Sequence, residues 1–150
     1  MSKPFKLSFI VGLVVLGLGI VAIQVWHNST DKLSSSARNA LYTELLEMSG
    51  QLNRDLPRLL DRNTRFERAE AANYGMRFYY SLIKIDRYSH DIEDIQAQIE
   101  PQMLAAYCQG DALAFYREQA DFVEFQYLDQ SGQKLFRLRY TAEACAPASM

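Results

Sequence analysis

In a chain of 150 residues, two histidines and two cysteines are the whole supply of imidazole and thiol. His90 is followed by Asp91, the residue types that form the back half of a hydrolytic triad. Sequence neighbours do not normally point at one another, however, and no GxSxG nucleophile elbow accompanies the pair. Asp86, Asp91, Glu93 and Asp94 cluster nearby. Carboxylates do acid–base work only where a cleft perturbs them, whereas at the start of a helix they cap backbone N–H groups and suit the positive end of the dipole. The chain has no HExxH, no CxxC and no glycine-rich phosphate loop. Cys108 and Cys145, with no histidine beside them, cannot complete a four-ligand zinc site. These residues predict a non-catalytic protein without cofactor or metal.

Tyrosine and arginine carry a different chemistry. Tyr74, Phe78, Tyr79, Tyr80, Tyr88, Tyr127 and Tyr140 crowd a small region, and Arg65, Arg77, Arg137 and Arg139 fall on candidate strands. Such residues favour protein interfaces, because one type offers rigid apolar area and the other several donors. The competing assignment puts most of the aromatics in the core, with arginines stacked over an open sheet face. Tyr79, Tyr127, Arg137 and Arg139 are the candidate contact residues on the sheet, and Leu33, Leu41 and Leu45 those on a helix.

The elements that must position them begin with Leu7 to Trp26, which holds no charge. At about 1.5 Å per residue such a helix reaches roughly 30 Å, the thickness of a bilayer core. Lys3 and Lys6 precede it, which predicts a cytoplasmic N-terminus, and Trp26 reads as a membrane-interface anchor. A cleaved secretory signal is the alternative, although no small-x-small triplet ends the run cleanly. With the two lysines set aside, 18 acids face 14 bases in the remainder. That mild acidic excess argues against nucleic acid as a partner. The predicted organisation is a cytoplasmic stub at 1–6, a transmembrane anchor at 7–26, a juxtamembrane amphipathic helix at 27–60, a periplasmic α+β domain at 61–145 and a flexible tail at 146–150.

Leu33, Ala37, Leu41, Leu45, Met48, Leu52, Leu56 and Leu59 recur at three- and four-residue steps, an apolar helix stripe that the domain's sheet or a second copy must cover. Thr64 to Ala71 alternates weakly and predicts an edge strand. Asn73-Tyr74-Gly75 signals a turn, and Met76 to Ile85 is the strongest strand pattern. Ser89 or Asp91 caps the next helix, which Pro101 should kink or divide. After Gly110 a short helix follows, then strands from Phe122 to Leu128 and from Lys134 to Tyr140, joined by Asp129-Gln130-Ser131-Gly132. The predicted fold is α+β. It has one N-terminal transmembrane helix, an amphipathic helix, and a four-stranded antiparallel sheet with helices on one face, in the order α-β-β-α-α-β-β. Cys108 and Cys145 in an exported domain are most simply one disulfide, with two unpaired thiols as the alternative.

The stretch LPRLLDRNTRFERAEAANYGMRFYYSL, the helical segment ending in Cys108, and FVEFQYLDQSGQKLFRLRY with Cys145 together resemble small, largely uncharacterised bacterial envelope proteins. Those proteins carry a single N-terminal membrane anchor and a two-cysteine α+β periplasmic domain. The resemblance gives structural roles to Leu56, Pro57, Asp61, Thr64, Cys108, Gly132 and Cys145. The function expected from the whole chain is that of a membrane-anchored periplasmic accessory subunit of an inner-membrane assembly, single-pass in the bacterial inner membrane. Its expected partners are other inner-membrane or periplasmic proteins, the bilayer through residues 7–26, and a second copy of the chain. A periplasmic ligand-binding or sensing module is the first alternative, and a hydrolytic enzyme the second.

Overall fold

The computed structural model describes residues 34–146. Lys3, Lys6, the apolar run 7–26 with Trp26, His27 and Leu33 lie outside them. Among the described residues, no helix is long and apolar enough to cross a membrane.

Helix α1 runs over Ser35–Asn53. Leu45 is fully buried and Leu41 and Met48 are partly so, packed on the core. The apolar stripe continues past the helix, but the helix does not. It ends at Asn53, and after a cis Leu56–Pro57 bond Arg58–Leu59 forms a short strand, β1. The expectation of an amphipathic helix reaching residue 60 is therefore corrected: proline lacks the N–H that a continuing helix requires, and the chain turns into the sheet edge.

Strands β2 (Thr64–Ala72) and β3 (Gly75–Leu82) form a hairpin. Asn73 and Tyr74 both take positive φ, 46° and 65°, as a two-residue turn of the primed kind demands. Gly75 has no room for a Cβ, which would sit 2.6 Å from the Phe122 ring. Helix α2 (Ile92–Gln109) starts on Asp91, whose carboxylate accepts from the N–H groups of Glu93 and Asp94 at 3.0 and 3.2 Å. It runs unbroken through Pro101, contrary to the expected division, since a proline there removes one bond from the ladder and Pro101 itself is exposed. A 3-10 turn (Asp111–Leu113) and helix α3 (Ala114–Gln119) lead to β4 (Val123–Leu128) and β5 (Lys134–Tyr140). In the β4–β5 loop, Asp129 accepts from the N–H groups of Ser131 and Gln133, and Gly132 supplies the positive φ.

The strands pair in the order β1-β2-β3-β4-β5. The sheet therefore has five strands rather than four. It is mixed rather than antiparallel, because β3 and β4 run parallel, Phe78 beside Phe125. The two helices between them carry the chain back to the starting edge, which only a long connection allows. Strand β2, expected at the edge, is internal because β1 covers part of it.

One sheet face makes the core. Phe66, Met76, Phe78, Leu82, Val123, Phe125, Tyr127, Phe136, Leu138 and Tyr140 pack there with Leu45, Tyr107 and Tyr116 from the helices. Rings meet between the layers, as at Phe78–Tyr116 and Tyr107–Tyr140. Cys108 and Cys145 are joined in a disulfide with Cα atoms 5.4 Å apart, tying the end of α2 to the 3-10 turn (Ala142–Cys145) that follows β5.

Candidate interaction surface

Alternation along each strand sends the remaining side chains to the second face of the sheet. The pairing register sets them in two rows across β2, β3, β4 and β5. The first is Arg68, Tyr79, Gln126 and Arg137; the second is Glu70, Arg77, Glu124 and Arg139. A register shift between Phe66 and Arg68 brings Arg68 opposite Tyr79, and its guanidinium lies 3.5 Å from the centre of that ring.

Glu124 sits in the middle of the second row with 1% exposure. Its Oε1 accepts from Arg77 Nε at 2.5 Å. Arg137 and Arg139 approach Oε2 at 3.7 and 3.9 Å, and that oxygen accepts no hydrogen bond. Tyr79 links Arg77 to Glu70: Arg77 Nη1 donates to Tyr79 Oη at 3.4 Å, and the hydroxyl donates to Glu70 Oε2 at 2.8 Å. The bond to Tyr79, together with Glu124, holds the Arg77 guanidinium above its ordinary value despite some desolvation. Arg137 and Arg139 remain half exposed, and Arg139 is stacked 3.7 Å above Phe122. Stacking and pairing fix the orientation of these planar groups without using all of their donors. At one end of this face, a cavity of about 360 Å³ opens between Arg65, Arg68, Ser81 and the loop at Gln130, Ser131 and Gly132.

The candidate contact residues divide on this geometry. Tyr79, Arg137 and Arg139 share the second face. Tyr127 points to the opposite, core face, where burial pushes its hydroxyl far up, and Leu45 is equally buried, so neither is free to contact a partner. Leu41 is half-buried against the core, and Leu33 lies outside the described residues. Glu124 was missed by sequence reasoning. A lone glutamate in an apolar strand, FVEFQYL, was the available signal, and its meaning depends on which strands flank it.

The remaining chemical candidates have local roles. His90 is exposed, its Nδ1 3.2 Å from the Asp86 backbone N–H and 3.0 Å from the Asp86 carbonyl. Asp86 caps the turn at Tyr88 and Ser89, and those bonds hold its carboxyl below the usual range. Among the described residues, no group of three or more His, Cys, Asp or Glu could hold a metal ion. On the helix side, a cavity of about 240 Å³ is lined by Leu60, Leu82, Ile99, Met103, Tyr80 and Tyr127, among others, and one of about 360 Å³ by Met48, Leu52, Leu56, Phe66 and Tyr116, among others.

No protein-family model and no curated protein matches the chain. Solved structures do. The pilotin EpsS of the Vibrio vulnificus type 2 secretion system superposes with a TM-score of 0.61 at 12% identity, over 76% of this chain and 99% of that one. The type II secretion system pilotin AspS from Vibrio cholerae gives 0.58 at 15% identity, over 74% and 97%. A secreted-protein candidate from Pseudomonas aeruginosa gives 0.62 at 14% identity, over 75% and 99%. In fold, this chain resembles pilotins.

The expected resemblance to envelope proteins with a single N-terminal membrane anchor is corrected to this likeness in fold. The assignment to the inner membrane as a single-pass protein, with the bilayer as a partner through residues 7–26, is corrected with it. No described helix can cross a membrane, and the similar structures are two secretion-system pilotins and a secreted-protein candidate.

Proposed function

We propose that this chain is a non-catalytic accessory protein of a bacterial cell envelope that works by binding another envelope protein, a role comparable to that of the pilotins whose fold it resembles. The contact is made by the second face of the sheet, through Tyr79, Arg137 and Arg139. The observation that carries this reading is the buried Glu124 carboxylate shared among three arginines, two of which present half of their surface to solvent. Catalysis has no support from the acid–base candidates: Asp86 and Asp91 cap local backbone, Glu124 pairs with Arg77, and His90 contacts the Asp86 backbone at the surface.

The test places a photo-crosslinking residue at Tyr79, at Arg137, and, as a control, at the 82% exposed Tyr88, in the full chain expressed in its native host. A single envelope protein, identified by mass spectrometry, is expected as an adduct from positions 79 and 137 but not 88. Adducts from position 88 alone, or from none, would overturn the assignment. The ligand-binding alternative draws on the two helix-side cavities, which at about 240 and 360 Å³ lie below and at the small end of the roughly 300–1,000 Å³ of most small-molecule sites.

A further inference from the structure

We infer that the partner segment taken by the second sheet face is acidic and extended, with carboxylates on alternate residues that pair with Arg137 and Arg139. This rests on the contact face proposed above and adds the chemistry of what binds there.

Charge is the first argument. Across the two rows, Arg68, Arg77, Arg137 and Arg139 stand against Glu70 and Glu124 only, on a chain whose formal net charge is -2. The Arg65–Glu67 pair beside them, at 2.7 Å, adds nothing to the balance. The local excess is thus positive where the whole molecule is negative, and such a field draws and orients an acidic partner.

Incomplete pairing is the second argument. Glu124 gives one oxygen to Arg77, and its other oxygen meets Arg137 and Arg139 only beyond hydrogen-bond length. Each guanidinium has five donors in a fixed fork, and a carboxylate 3.7–3.9 Å away does not engage that fork. An incoming carboxylate finds both forks exposed, and that of Arg139 already held in place by its stacking on Phe122.

Spacing is the third. Arg137 and Arg139 lie two residues apart on one side of β5, so their backbone positions are roughly 7 Å apart. Residues i and i+2 of an extended segment repeat at that distance and on one side. A single small anion cannot serve both positions equally; a strand-like acidic segment can.

The probe is a fluorescent peptide of alternating glutamate and threonine, with an alternating lysine–threonine peptide as control, titrated into the full chain by anisotropy. The acidic peptide is expected to bind and the basic one not to. Arg137→Ala with Arg139→Ala should weaken the acidic peptide roughly tenfold, the sum of two exposed ion pairs. Glu124→Gln should tighten it several-fold, because the internal negative charge that partly neutralises the same guanidiniums is gone. A variant that merely damaged the fold would weaken binding, so the opposite signs separate recognition from unfolding. No binding by the wild-type chain, equal binding by the double variant, or complete displacement of the peptide by equimolar inorganic phosphate would overturn the inference. Crosslinks at Tyr79 and Arg137 that persist alongside such a result would reject only the acidic chemistry; their absence would reject the contact face itself.

Discussion

Tyr80 and Tyr140 show how burial sets a side chain's chemistry, with the charge of Glu100 adding to it at Tyr140. Burial pushes both hydroxyls up to about 12 from an ordinary 10.0, since the phenolate would lose its hydration. The folded protein thus holds these protons more tightly than the unfolded chain. Their contribution to stability is complete below pH 10 and is lost as pH rises through about 12. The urea midpoint is expected to decline across that window, and less steeply in Tyr80→Phe; absorbance at 295 nm should show these two rings ionising only near its top. At this scale much was legible in the sequence. Asp91 as a cap and the Asp129–Gly132 loop need only local backbone geometry, and both are formed as their residue types require. Glu124 was not legible, because a charge in an apolar strand has no reading until its neighbours on β3 and β5 are known.

Among the elements, α1 is the one whose attachment is most exposed to mutation. Strand β1 spans two residues and pairs only with Phe66 and Arg65, so it cannot satisfy β2 further along. Asn53, the last residue of α1, does so instead. Its Nδ2 donates to the Ala69 carbonyl at 2.8 Å and its Oδ1 accepts from the Ala69 N–H at 2.8 Å, imitating a missing strand. Asn53→Ala leaves both groups without that partner and is expected to cost about 1–3 kcal/mol. Asn53→Asp keeps the acceptor but sets a carboxylate oxygen against the Ala69 carbonyl, so it should recover little of that loss. Urea midpoints measure the cost, and faster hydrogen exchange at the Ala69 amide would locate it. The same region marks where periodicity misled: Leu56 and Leu59 continue the helical spacing, yet they belong to a loop and a strand. Leu56 packs against the core but Leu59 is 62% exposed, so apolar spacing fixes neither burial nor the end of the helix here; the proline decides where the helix can exist.

Across the described residues, helices cover one face of the sheet, and the disulfide between Cys108 and Cys145 ties the end of α2 to the turn after β5. The bridge spans a sequence separation of 37 residues that includes α3, β4 and β5. Constraining a loop of that length in the unfolded chain contributes about 4 kcal/mol at most. Replacing both cysteines by serine is expected to lower the denaturant midpoint by up to that amount, and reduction of the wild-type chain should reproduce the shift. Equal midpoints would mean that the layers hold together by packing alone. The sequence by itself determined the α+β class, the strands from Met76, Phe122 and Lys134 onward, and the helix beginning at Asp91. Those follow from periods of two and 3.6 residues and from capping chemistry, all local properties. The parallel pairing of β3 with β4, the fifth strand, and the convergence of Arg77, Arg137 and Arg139 on Glu124 were decided only by tertiary structure. Each depends on which distant segments become neighbours, and that is settled by the long helical connection and the shared core, not by any one segment's own pattern.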